Sequence, residues 1–241
     1  MSTNRLPILD ERTLHDTQEL PTVHALESLW SEISARPLWA PPSFFRYLKL
    51  RWSTRLRLLN ADAVPVFAPR GQINDCTGCT EMCCIGPRST VLLRFRDIAT
   101  LMDIGREDLM VHEKPEFSRE ELVRNPALRL QLASSDWRRF PVLAKNEFSA
   151  CRALTTDGAC GLYPHWPMAC ARFPYTLDVD AKEITYSKRC RSFWIRDDGT
   201  SRARAMAVAA VAAYNERIKD RILMAYAPER LEELGLLKFL L

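Results

Sequence analysis

The sequence predicts an α+β fold, mostly helical, in which a small irregular cysteine-rich core with a few short strands lies between helical N- and C-terminal extensions. Three observations lead there. All eight cysteines of the 241-residue chain fall between Cys76 and Cys190. Segments with helical periodicity stand on both sides of that region. Inside it, short β-prone runs alternate with Asp-Gly, Gly and Pro turn formers. The expected divisions are 1–69 for the N-terminal extension, 70–195 for the cysteine-rich domain and 196–241 for a C-terminal helical cover. No repeat, low-complexity tract or flexible linker separates them, so they are expected to pack as one unit.

Taken in order, residues 22–35 read as a short helix. Ser43 can cap a second helix running to about Leu59, in which Phe44, Leu48, Trp52, Leu56 and Leu59 recur at helical spacing. Arg46, Lys49, Arg51, Arg55 and Arg57 fill much of the remainder, with no acidic residue among them. A helix of this kind normally packs its apolar stripe on the core and leaves a solvated basic face. The alternative for 43–59 is contact with an anionic membrane surface or a protein partner. Residues 90–95 read as a strand, 97–102 as a short helix closed by Gly105, and 141–145 as a strand leading into Cys151. Residues 175–179 and 183–187 flank Asp180-Ala181-Lys182 as a β-hairpin that returns the chain to Cys190. The Ala-rich stretch Ser201–Tyr226 reads as a long helix ended by Pro228, and 228–241 supplies one more helix, whose apolar last six residues require burial.

The cysteines carry the chemistry. Cys76, Cys79, Cys83 and Cys84 crowd into nine positions. Two thiolates separated by two residues can turn toward one ion at little entropic cost, which is why the C-x-x-C spacing recurs in zinc and iron–sulfur sites. Thr77-Gly78 and Gly86-Pro87 let the loop reverse and stop. Cys151, Cys160, Cys170 and Cys190 follow at wider spacing among turn formers, in a segment with few long apolar runs that would take much of its order from a bound ion. The N-terminus lacks a basic-then-apolar secretory pattern, and no apolar run reaches the ~20 residues that cross a bilayer, so the expected compartment is the cytoplasm. In a reducing compartment clustered thiols hold metal more often than disulfides, and a redox dithiol at Cys76 and Cys79 is the competing reading. The metal ligands expected are therefore Cys76, Cys79, Cys83, Cys84, Cys151, Cys160, Cys170 and Cys190. His165 stands between two of them as a substitute ligand or a neighbour of the centre.

On these residues the chain resembles the YkgJ-type cysteine-cluster family, whose CxxCxxCC domain is described as zinc- or iron-chelating. The resemblance spans about residues 70–195. It is carried by the four-cysteine loop, Asp157-Gly158-x-Cys160-x-x-Tyr163, Pro167-x-x-Cys170-x-x-Phe173-Pro174 and Cys190. Thr80, Glu81 and Met82 separate the second and third cysteines where the family has two residues. Trp166 and Ala171 stand where it often has arginines. The resemblance implies a cysteine-ligated centre, an iron–sulfur cluster with a redox role or zinc in an interaction module. Some relatives are described as flagellin lysine N-methylases. No G-x-G-x-x-G, P-loop or G-x-S-x-G motif supports nucleotide or hydrolase chemistry, and a net charge of +4 is too small to argue for nucleic acid.

Overall fold

The computed structural model describes residues 20–38, 44–53, 57–64, 72–75, 84–86, 90–113, 119–124, 136–173, 175–178, 183–186, 193–196 and 201–241. In chain order its helices are α1 (Pro21–Ser34), α2 (Phe44–Ser53), α3 (Phe95–Asp103), α4 (Arg119–Arg124), α5 (Asp136–Arg139), α6 (Met168–Ala171), α7 (Ser201–Tyr226) and α8 (Pro228–Glu233). The strands are β1 (Gln72–Asp75), β2 (Met110–Val111), β3 (Val142–Leu143), β4 (Tyr175–Asp178), β5 (Glu183–Tyr186) and β6 (Phe193–Arg196). They pair antiparallel as β1–β6, β2–β3 and β4–β5. The fold is α+β and mostly helical, with short two-stranded pairs rather than one sheet.

The 26-residue α7 organises the rest, because its alanines let other elements approach closely on several sides. Near its start Ala210 and Val211 pack with Tyr175, Ile184 and Val64, seating the β4–β5 hairpin. One turn past its middle, Ile218 and Ile222 hold Leu50 of α2. At its end Leu223 joins the main core. That core collects Val23, Leu26 and Leu29 of α1, Leu93, Phe95, Ile98 and Leu101 around α3, Phe140, Leu162, and Leu231 and Leu236 beyond α7. Residues from all three expected divisions thus share one interior. Cys151, Cys160 and Trp166 pack against its edge, which places the cysteine region on the core.

Helix α1 begins at Pro21, whose missing N–H costs nothing at that position, but Leu20 offers no capping side chain. The cap comes from another helix. The Asp103 carboxylate at the end of α3 accepts the N–H groups of Thr22 (2.9 Å) and Val23 (3.1 Å), satisfying donors that the helix cannot and setting a negative charge at its positive end.

Two sequence expectations are corrected. Residues 90–95 do not form a strand. Leu92 makes only an isolated bridge to Val142, and Phe95 already opens α3. The reason is local, since the Asp97 side chain accepts the Arg94 N–H at 2.9 Å and starts the helix there. The second helix does not reach Leu59. Residues 57–60 are not helical, because the Leu59 N–H donates to Asn215 Oδ1 (2.9 Å) while its carbonyl accepts from Asn215 Nδ2 (3.0 Å). Both backbone groups are engaged by one α7 amide, so nothing is left for a helical ladder. Elsewhere the expected helices at 22–35 and 201–226, the strand within 141–145 and the hairpin of 175–187 are found with small changes of boundary. At the C-terminus Leu236 is fully buried and residues 237–240 are half-buried or exposed, and Leu241 is exposed.

Beneath α3 lies a buried charge network. Asp136, at the start of α5, takes Arg94 (3.3 Å), Arg217 (2.9 Å) and Arg221 (3.5 Å), and Arg94 also lies 3.7 Å from Asp220 of α7. Burial pushes the Asp136 carboxyl up, but the three guanidinium groups outweigh it and hold the pKa below the ordinary value.

Replacing Phe95 with Ala removes a fully buried ring stacked edge-on against Phe140 and is expected to cost about 3–5 kcal/mol in urea unfolding. A second expectation concerns pH. The Asp136 carboxylate is stabilised in the folded chain, so its contribution is present above the unfolded value near about 4 and is lost as pH falls through the lower folded one. Asp136→Asn should therefore be less stable than the wild type at pH about 7, with the gap between their urea midpoints closing below pH about 4.

Candidate metal centre

Cys84, Cys151, Cys160 and Cys170 are within the described residues, and Cys76, Cys79, Cys83 and Cys190 lie outside them. The backbone brings the four described cysteines together by three sets of bonds. First, residues 84–86 run against 145–151. The Cys151 N–H donates to the Cys84 carbonyl at 2.8 Å, the Gly86 N–H to Ser149 at 2.9 Å, and Ile85 bridges Ala150. Lys145 closes the register from the side, its ammonium donating to the Gly86 carbonyl at 2.7 Å. This segment turns sharply because the Asn146 carboxamide accepts the N–H groups of Phe148 and Ala150, each at 3.0 Å, with Ser149 in the left-handed region at φ 59°.

Second, the chain folds back on itself after Cys151. Leu154 bridges Cys160, and the Gly161 N–H donates to the Ala153 carbonyl at 2.8 Å. A Cβ on Gly161 would stand 3.2 Å from that oxygen, so the close return is made with a glycine. The intervening Asp157-Gly158 turn is held by the Thr155 hydroxyl, which bonds Asp157 and the Ala159 carbonyl.

Third, Asp97 fixes the last cysteine. Its second carboxylate oxygen accepts the N–H of Met168 at 2.8 Å, the first residue of α6, and Cys170 lies in that helix. One buried carboxylate thereby starts α3 and seats the helix bearing Cys170. Burial drives its pKa up to about 6 against the pull of the two amides and Arg94.

The resulting thiols influence one another. Burial, followed by repulsion from Cys151 and Cys160, pushes Cys84 up to about 11. Burial is again the largest cause at Cys151, whose thiol is raised by Cys160 and partly relieved by Lys145. Cys170 is exposed as a residue, yet protein packed about its thiol is the first cause pushing it well above its ordinary value. Solvent at that position tempers this cause and also screens the repulsion from Cys84, Cys151, Asp97 and Cys160 that adds to it. Among the described residues no three His, Cys, Asp or Glu side chains already stand at the spacing of an ion's ligands. The donor chemistry nevertheless fits a thiophilic cation. Hydrogen bonds draw the segments of four soft donors together, and burial with mutual repulsion raises the Cys84, Cys151 and Cys170 thiols, conditions that a bound cation relieves. The same raised thiols are poor nucleophiles, since only the thiolate attacks.

Strands β1 and β6 pair Asp75 with Phe193. Cys76 follows Asp75 directly, and Cys190 precedes Phe193 by three residues. His165 is half-buried, and Trp166 packs on the core and against the Tyr163 ring at 5.3 Å. Sequence reasoning missed Asp97 and Lys145. Arg94-x-x-Asp97 carried the signal of a helix start, but the bond to Met168 spans 71 residues and leaves no local trace. In comparisons with known families, curated proteins and solved structures, the chain has no match. The resemblance to the cysteine-cluster family rests on the motifs alone.

Asp97→Asn keeps one acceptor but turns an amide NH2 against the other backbone N–H. It is expected to lower stability by about 1–3 kcal/mol in urea unfolding, and to speed alkylation of Cys170 relative to Cys84 when mapped by mass spectrometry.

Proposed function

We propose that this chain is a metal-binding protein with a cysteine-ligated centre, iron–sulfur in kind and redox in role. The observation that supports the reading is that hydrogen bonds draw together the segments bearing Cys84, Cys151, Cys160 and Cys170: the Cys151 N–H donates to the Cys84 carbonyl, Leu154 bridges Cys160, and Asp97 holds the helix of Cys170. Cys76, Cys79, Cys83 and Cys190 complete the proposed ligand set, and covalent continuity keeps Cys76 and Cys190 within one and three residues of the paired ends of β1 and β6. Thiolate-only donors suit iron–sulfur clusters and tetrahedral zinc alike. Cysteines spread from Cys151 to Cys190 do not have the paired C-x-x-C spacing of a zinc ribbon, which favours the cluster.

An iron–sulfur centre supplies one-electron transfer. The chain's own residues do the rest. Asp97 sets the position of the helix bearing Cys170, and the Cys151 N–H holds Cys84 in register. Lys145 lends positive charge beside Cys151, and Arg172, whose guanidinium is pushed down by burial and by Arg94, stands close enough to Cys170 to be pulled the other way. These two cations offset negative charge that would accumulate on ligating thiolates. We place the protein in the cytoplasm, where thiols stay reduced. No helix among the described residues is long and apolar enough to cross a membrane.

Anaerobic purification followed by assay of iron, acid-labile sulfide and zinc per chain tests the reading. Iron with matching sulfide is expected, and Cys84→Ser and Cys170→Ser should each lower the metal content at least about twofold and reduce the melting temperature of the loaded protein. Unchanged metal content in both variants overturns the ligand set. Zinc without iron overturns the cluster and the redox role.

A further inference from the structure

Helix α2 presents to solvent part of the stripe that its periodicity assigns to the core, with Phe44 and Trp52 exposed and Leu48 half-buried. Among its described side chains the buried one is Leu50, held by Ile218 and Ile222 of α7. At ~100° per residue, Leu48, Trp52 and Phe45 lie about 160°, 200° and 220° round the helix from Leu50, on the opposite face. Trp52 is 91% exposed and Phe45 81%, and Phe44, in edge-on contact with Phe45 at 5.8 Å, is 47% exposed. Exposed Lys49 and Arg51 border this aromatic ridge on its two sides, and Arg57 and the 42%-exposed Leu58 follow the helix. From Ile33 to Ala61 the sequence has six basic residues, Arg36, Arg46, Lys49, Arg51, Arg55 and Arg57, and no acidic one.

Two large aromatic side chains held almost wholly in water call for an occupant, and the flanking charge says which sign it carries. Among the described residues the ridge is the outer face of one helix, so a folded partner would have to supply the whole groove that receives it. A deformable phase has no such requirement. Phe and Trp partition into the boundary between acyl chains and headgroups, while lysine and arginine stems lie along the apolar surface and deliver their charges to anionic headgroups. The ridge is also presented firmly. Leu50 anchors its back, the Arg46 guanidinium lies 5.9 Å from the centre of the Tyr226 ring, and the Tyr226 hydroxyl donates to the Leu38 carbonyl at 2.9 Å. We propose that the outer face of α2, through Phe45, Leu48 and Trp52 flanked by Lys49 and Arg51, docks this protein on an anionic lipid surface. The inference is independent of the metal centre.

The test is sedimentation of the full-length protein with phosphatidylcholine vesicles, plain or containing about 30 mol% phosphatidylglycerol. Binding to the anionic vesicles alone is expected, weakened at least about tenfold between about 0.1 M and 0.5 M salt. Phe45→Ser with Trp52→Ser should reduce it about tenfold or more, as should Lys49→Glu with Arg51→Glu. These side chains are exposed, so the melting temperature of each double variant should match the wild type. If the aromatic pair lowers it, the charge-reversal pair decides. Equal binding to both vesicle types, undiminished binding by both variants, or tighter binding to soluble polyglutamate than to the vesicles overturns the proposal, the last pointing to an acidic protein instead.

Discussion

The first turn of α3 is the junction on which the described structure depends. Arg94 and Asp97 begin one helix, and each also reaches elsewhere. The Arg94 guanidinium enters the charge network shared by α5 and α7, and the Asp97 carboxylate holds the first residue of α6. Core, charge network and cysteine centre therefore meet at two residues. Such an arrangement is costly, because Asp97, Asp136 and Asp220 are at most 4% exposed. Charges buried this deeply are tolerated only when paired or neutralised, and losing one partner of a buried pair costs more than the pair gains over apolar packing, about 3–5 kcal/mol. The network's value is then positional. It allows one arrangement of α3, α5 and α7 and penalises the others.

Asp220 and Asp136 illustrate two solutions to the same problem. Asp136 has three arginines and stays below its ordinary pKa. Asp220 has a single ion pair with Arg94 at 3.7 Å, both oxygens without a hydrogen bond among the described residues, and a pKa pushed well above the ordinary value, first by burial. One carboxyl is kept charged by its neighbours and the other is driven toward the neutral form. A neutral Asp220 spares the interior a second negative charge next to Glu216, one helical turn before it on α7. The thiols of Cys84, Cys151 and Cys170 meet the same opposition, burial and like charge together, and among the described residues Lys145 and Arg172 oppose it. Proton uptake settles the carboxyl, and in the proposed function a bound cation would settle the thiols.

What could be read in the sequence follows the range of the interactions concerned. Helix α7 was legible to its ends because alanine content and Pro228 are local causes, and the β4–β5 hairpin because its turn residues are. The start of α3 was misplaced by two residues through giving β-prone Val91, Leu92 and Leu93 more weight than Asp97, a choice that the Asp97 carboxylate reverses with one hydrogen bond. The end of α2 was out of reach, since the competitor for the Leu59 backbone is Asn215, 156 residues away. The candidate site divides the same way. Its thiols were visible as spacing, whereas the pairing of β1 with β6 and the Asp97 bond to Met168 depend on partners that only the folded chain brings near.

Helix α2 shows how periodicity can identify an apolar face without saying what covers it. Phe44, Leu48 and Trp52 recur with the period of a buried stripe, and Leu50 stands alone on the other side. Residue counting alone would put the larger stripe inward. In the fold Leu50 packs with Ile218 and Ile222 of α7, in a cluster that also takes in Trp30, Ile33, Leu38, Tyr214 and Tyr226, and Arg46 lies over the Tyr226 ring. Turning the helix over would put a tryptophan and two phenylalanines where one leucine packs and leave Arg46 without its ring, and overpacking of that kind is destabilising. A helix that keeps its smaller apolar face for the protein and its larger one for solvent has been shaped by two environments, and the lysine and arginine bordering the outer face define the second as negatively charged.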